Sequence, residues 1–231
     1  MFRAIVFDLD HTLFDRYGTL RATLHAFYNH YREIIPEDIS LEEFIEKLIE
    51  TEQKYIHYDW IRVLQECANE GIIGPMTDEE VKQAVAVIVN ECWPIAAVKY
   101  PFTIPTLLKL KEMGYKLGVI TNGRHEPQAL KIKMLELEDL FDEVVISGDV
   151  GAHKPSPVPF EAFAKKIGIA PKEMVYVGDH PLNDIEGSRN AGYTPVWVKT
   201  INHWLFEDIK RADYEIDTVA ELPELLKRID K

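Results

Sequence analysis

Ala4-Ile5-Val6-Phe7-Asp8-Leu9-Asp10-His11-Thr12 decides the fold: an unbroken apolar run gives way to acid, leucine, acid, histidine and hydroxyl. A short run of this kind reads as a strand buried on both faces, the pattern of a parallel sheet. The polar residues then fall at the strand's carboxyl end, where open α/β sheets keep their binding sites. Two carboxylates in such a place call for a metal or a partner charge, because an unpaired carboxylate is costly to desolvate.

Outward from this stretch the texture changes twice. After Phe14 the apolar period becomes helical: Leu20, Leu24, Phe27, Tyr28 and Tyr31 follow one stripe, and Leu41, Phe44, Ile45, Leu48 and Ile49 a second. Further helical patterns run through Trp60, Val63, Leu64 and Cys67, and through Val81, Val85, Ile88 and Val89. Ser40 with Glu43 and Thr77 with Glu80 have capping-box spacing, which marks helix starts. A turn spans Gly71 to Pro75, and Pro94 and Pro101 close the helical region.

Beyond residue 101 short apolar strands alternate with helical patterns. Lys116–Ile120 ends in Thr121-Asn122-Gly123, Val144–Ile146 in Ser147-Gly148-Asp149, and Met174–Val177 in Gly178-Asp179; Pro195–Val198 follows. This alternation predicts an α/β fold with a doubly wound parallel sheet that the first strand joins. The expected organisation is a discontinuous α/β core, residues 1–14 and 101–231, with an all-helical module of residues 15–100 inserted after the first strand.

Composition narrows the class of function. The 231 residues are 46% hydrophobic and carry a formal charge of −13, against the basic face that a nucleic-acid partner or an anionic membrane requires. The apolar stretch at the start is too short for a signal segment, and no later run reaches the length of a membrane span. Cys67 and Cys92 are too few for a disulfide framework and lack metal-ligand spacing, which fits a reducing cytoplasm.

In a parallel sheet all the strand ends share one edge. Asp8 and Asp10, Thr121 and Asn122, Lys154, and Asp179 with Asp184 therefore converge. Carboxylate oxygens suit Mg²⁺, while a lysine and a hydroxyl hold phosphate oxygens as a carboxylate attacks. This set fits phosphoryl transfer.

Read in order, Asp8-Leu9-Asp10-His11-Thr12, Thr121-Asn122-Gly123, His153-Lys154-Pro155 and Gly178-Asp179-His180-Pro181-Leu182-Asn183-Asp184 resemble the four motifs of the haloacid dehalogenase (HAD)-like hydrolase superfamily. The resemblance covers nearly the whole chain, and the helical insertion resembles that family's type 1 cap. It implies that Asp8 is the nucleophile, forming an aspartyl-phosphate, and that Asp10 is general acid and then base, with a pKa raised by its setting. It further implies that Thr121 and Asn122 bind phosphoryl oxygens and that Lys154 neutralises Asp8 and the phosphate. Asp8, Asp179, Asp184 and the backbone carbonyl of Asp10 would hold Mg²⁺. Dehalogenases of the superfamily lack the second aspartate, so Asp10 favours a phosphatase. His11 and His180 depart from the small or hydroxyl residues common at their positions.

The implied substrate is a small phosphorylated metabolite, with nucleotide monophosphates, sugar phosphates, acylneuraminate phosphate and phosphoglycolate all open. Arg16, Tyr17, Arg21, His57, Tyr58, Trp60 and Arg62 are the candidates to face the cleft from the cap, although for any one of them a surface or core role is the simpler reading. A phosphomutase would use the same residues. A receiver-like signalling module also phosphorylates an aspartate, but it has a different residue order and no inserted helices.

Overall fold

The computed structural model describes residues 1–54, 60–93, 96–199, 204 and 208–230, so His57, Tyr58 and Pro94 lie outside the described residues. The chain forms two compact units, Met1–Arg16 with Val98–Lys231, and Tyr17–Ala97. The first is built on a six-stranded sheet of β1 (Ala4–Phe7), β4 (Lys116–Thr121), β5 (Glu143–Ile146), β6 (Met174–Gly178), β7 (Thr194–Val198) and β8 (Tyr214–Ile216). Its spatial order is β5-β4-β1-β6-β7-β8, with every pairing parallel.

That order places the opening stretch at the centre. β1 is fully buried and pairs with β4 on one side and β6 on the other. The chain builds outward through β4 and β5, then returns to the other side of β1 for β6, β7 and β8. The carboxyl end of β1 is thus the switch point at which doubly wound sheets bind ligands. β8 escaped the sequence reading because Tyr214-Glu215-Ile216 is too short to show a period.

Gly118 in β4 shows how tightly a helix lies on this sheet. A Cβ at this position would stand 2.1 Å from the Phe163 ring, so the close approach of Pro157–Ile167 to the sheet requires glycine. Phe163 belongs to an apolar cluster with Ala4, Val6, Phe160 and Tyr176. The helix itself starts as its sequence directs, with Ser156 accepting from Val158 N, Pro157 in the first turn and Gly168 closing it at φ 68°. Beyond β1 the chain makes β2 (Phe14–Asp15), which pairs antiparallel with β3 (Val98–Lys99).

The second unit holds helices Leu41–Lys54, Trp60–Asn69 and Asp78–Val87, together with most of Arg16–His30. Their apolar stripes meet in one cluster that includes Leu24, Phe27, Phe44, Leu48, Val63 and Ile88. Thr77 and Glu80 form a complete capping box, and Ser40 Oγ accepts from Glu43 N at 3.2 Å. Five residues of π-helix, Ile88–Cys92, extend the last of these helices. Among the described residues no helix is long and apolar enough to cross a membrane.

Replacing Gly118 with alanine is expected to destabilise the fold by about 1–3 kcal/mol, the usual cost of overpacking. Urea unfolding checks this, and an unchanged midpoint would mean that the ring yields freely.

Candidate active site

β1, β4, β5 and β6 bring their carboxyl ends to one edge, and the acids after β1 and β6 meet there the lysine that follows β5. Asp8, Asp179 and Asp184 are buried, and each offers an oxygen within 4.8 Å of the other two. Lys154, 4% exposed, donates to Asp8 Oδ1 and Asp184 Oδ1 at 2.6 Å each, and to the Tyr176 hydroxyl at 2.9 Å. Burial above all, with the charges of Asp184 and Asp10, pushes the Asp8 carboxyl up to about 7 against the pull of Lys154. Burial alone would lower Lys154, but the charges of Asp184 and Asp8 hold it well above its ordinary value.

Each member of this cluster has its own support. Asn122 clamps the Lys154 backbone from both sides, its Nδ2 donating to Lys154 O at 3.1 Å and its Oδ1 accepting from Lys154 N at 2.8 Å. The side-chain amide read as a phosphoryl ligand therefore holds the lysine. Asp184 Oδ2 accepts from His180 N at 3.0 Å. His180 Nδ1 in turn accepts from Leu182 N and Asn183 N, capping the π-helical turn Pro181–Glu186 as a serine or threonine oxygen would. The Trp197 indole donates to Asp179 O at 2.8 Å. Gly178 leaves room for Asp184, whose Cβ and Cγ lie 2.5 Å from where a Cβ would stand.

Asp10 points elsewhere. Lys131, on the helix His125–Met134, donates to both of its oxygens at 2.8 and 3.0 Å. Gln128, on the same helix, donates to Asp10 Oδ2 at 3.2 Å and also to the Thr121 hydroxyl. Burial raises the Asp10 carboxyl, but Lys131, Gln128 and Arg16 together bring it below its ordinary value. This corrects the expectation of a raised pKa: the paired lysine outweighs burial. His11 has φ 64°, the left-handed region that favours glycine and accounts for the small residues the motif resemblance expects there. Burial and the charge of Arg16 lower its imidazole to about 3, so it is neutral.

Three of these partners went unread in the sequence. Gln128 and Lys131 are spaced i and i+3 on the helix after the Thr121 strand, which puts them on one face, and that spacing could have found them. Tyr176 carries no such signal, because within Met174–Val177 it looks like any core aromatic.

Of the helical candidates, Arg21 is exposed and paired with Glu42 and Glu46. Trp60 is buried in the helical core edge-to-face with Trp93, Tyr17 packs against that core, and Arg62 is exposed. Arg16, 5% exposed, belongs to the sheet unit and acts on Asp10 and His11 through its charge.

A parallel sheet whose central strand ends in paired carboxylates, with a lysine, a threonine and an oxygen-only set of buried acids beside them, is an arrangement for phosphoryl transfer. Residues 5–198 match the family model of the haloacid dehalogenase-like hydrolases, and the chain belongs to that family. It is 35% identical to a glyceraldehyde 3-phosphate phosphatase of Methanopyrus kandleri, over the full length of both chains. It is 32% identical to the glyceraldehyde 3-phosphate phosphatase of Pyrococcus furiosus, covering 99% of this chain and 93% of that one. A crystal structure of a HAD phosphatase from Thermococcus onnurineus superposes with a TM-score of 0.65 at 30% identity, covering 97% of each chain. The chain is accordingly an enzyme of the phosphatase branch.

Gly178→Ala is expected to push the Asp184 carboxylate aside and lower phosphatase turnover at least about tenfold, with a stability loss of about 1–3 kcal/mol. Steady-state rates set beside thermal unfolding separate the two effects, and full activity would show that Asp184 tolerates displacement.

Proposed function

We propose that this protein is a Mg²⁺-dependent phosphatase of small phosphomonoesters that works through an aspartyl-phosphate on Asp8. The observation that carries the reading is the Lys154 ammonium held between Asp8 and Asp184. A carboxylate can attack an anionic phosphate only where its charge is countered, and here the counter-charge lies on the attacking group itself.

The residues fit a divalent cation. Three clustered carboxylates, two of them paired with one lysine, carry more negative charge than it neutralises, and an oxygen-only donor set suits a hard ion. Asp8, Asp179 and Asp184, with the backbone carbonyl of Asp10, would hold Mg²⁺; the Asp10 side chain is engaged by Lys131. When bound, the ion withdraws charge from the phosphoryl oxygens and orients them.

The remaining steps belong to the chain. An Asp8 oxygen attacks phosphorus, the bond to the ester oxygen breaks, and the leaving alcohol takes a proton from Asp10. Water then attacks the phosphorus, Asp10 takes the water's proton, and the bond to Asp8 breaks to free inorganic phosphate. Thr121 offers its hydroxyl to the phosphoryl group, and Asn122 serves the site through Lys154, whose backbone it clamps. As found, Asp10 is ionised and ready for the second half-reaction; for the first it must gain a proton.

For substrate, the likeness to the two glyceraldehyde 3-phosphate phosphatases supports a three-carbon sugar phosphate. We assign the helical unit the role of a cap that selects among phosphate esters, and we place the activity in the cytoplasm, in keeping with only two cysteines, too few for a disulfide framework.

The test is phosphate release from a panel of triose phosphates, larger sugar phosphates and nucleotides, with Mg²⁺ and again with EDTA, scored for phosphate and for product isomers. Metal-dependent phosphate release with preference for trioses is expected; isomer without phosphate would make the protein a mutase. Asp8→Asn should reduce turnover by at least about three orders of magnitude and leave the unfolding transition cooperative. A variant near wild-type rate would remove Asp8 as nucleophile.

A further inference from the structure

We infer that Lys131 and Gln128 are positioning residues for the proton-transfer group Asp10, forming a brace that ties Asp10 to Thr121. The inference rests on the phosphatase reading above and adds to it two residues outside the four motifs.

The brace is a short chain of contacts. Lys131 Nζ meets both Asp10 oxygens, so the carboxylate is fixed in rotation as well as in place. Gln128 Nε2 reaches Asp10 Oδ2 on one side and the Thr121 hydroxyl on the other. The group that moves protons and the group that holds phosphate are thereby set at a constant separation by one amide. Both residues project from the helix that begins four residues after Thr121, so the strand that delivers the threonine also fixes the brace. Lys131 is 5% exposed and its ammonium stands 5.4 Å over the Phe14 ring, which limits where it can move.

A purely structural purpose explains this less well. The loop after β1 already has ties of its own: Leu13 N donates to Leu9 O, Thr103 Oγ1 donates to Leu13 O at 2.6 Å, and Asp10 and Phe14 form a backbone bridge. A buried ion pair adds little net stability once its desolvation is counted. What Lys131 and Gln128 control is the Asp10 carboxylate itself.

General acid catalysis matters most when the leaving group is a poor one. An alkyl phosphate needs a proton on its departing oxygen, whereas 4-nitrophenyl phosphate releases a stable phenolate without one. Moreover, kcat/KM reports only the steps through departure of the alcohol. Lys131→Met should lower kcat/KM for glycerol 3-phosphate or a triose phosphate about a hundredfold, through kcat with KM within about threefold, and for 4-nitrophenyl phosphate by less than about threefold. Gln128→Leu, which changes no charge, should show the same asymmetry at smaller size.

Because Lys131→Met strands a buried carboxylate and could unfold the chain, the double variant Asp10→Asn/Lys131→Met is measured against Asp10→Asn, with thermal unfolding of each. Adding Lys131→Met to Asp10→Asn should cost the alkyl ester nothing further. Equal losses on both esters, or a further loss in the Asp10→Asn background, would overturn the positioning role while leaving the phosphatase reading intact. A wild-type chain that hydrolyses neither ester would overturn that reading, and the inference with it.

Discussion

Three carboxylates with oxygens within 4.8 Å of one another repel strongly in a buried setting, and the Lys154 ammonium makes the arrangement tenable. Most of the surrounding structure serves that one cation. Asn122 fixes its backbone, the Tyr176 hydroxyl takes its third donor, and Tyr176 is itself anchored to Ile120 O at 3.0 Å. Gly178 keeps open the space that Asp184 fills beside it. Removing one partner from such a cluster leaves a buried charge uncompensated, which costs far more than the intact pair contributes.

The sheet supplies the geometry that the lysine needs. Residues as far apart in sequence as Asp8 and Lys154 meet because β1 pairs in parallel with β4 and β4 with β5, the strand that Lys154 follows, so that the loops after them open on one edge. A parallel strand ends where its neighbours end, so each loop after a central strand opens onto the same edge. The central strand can carry no polar residue before that edge, and Ala4–Phe7 carries none. The opening stretch is therefore at once the most apolar part of the sheet and the source of its most polar site.

This explains which parts were legible in advance. Strand-end acids and the strand-end threonine announce themselves by a sharp change from apolar to polar, and a lysine beside a helix start is visible by its neighbours. Side chains that reach the site from a helix face make no sharp change from apolar to polar: Lys131 is one of several polar residues of His125–Met134, marked only by its i, i+3 spacing from Gln128, although it is buried. Tyr176 sits in strand alternation, where its hydroxyl has no signature. The hold of Asn122 on the Lys154 backbone was not legible, because an amide at a strand end serves equally to bind a ligand or to hold a neighbouring backbone. His180 was read as a departure from a hydroxyl residue, yet its ring nitrogen does the capping that a hydroxyl would do.

Asp8 and Asp10 are two residues apart, and their environments push their carboxyls in opposite directions, Asp8 up and Asp10 down. Burial raises both, so the difference comes from who shares the counter-charge. Asp8 divides Lys154 with Asp184, whereas Asp10 has both oxygens on Lys131 and a further bond from Gln128. Opposed environments for two neighbouring acids are how one site assigns them different chemistry. On the proposed reading a divalent cation among Asp8, Asp179 and Asp184 would restore charge to Asp8 and make it the nucleophile, leaving Asp10, tied to the other lysine, to handle protons. The two lysines thus divide the work of the motif between its two aspartates.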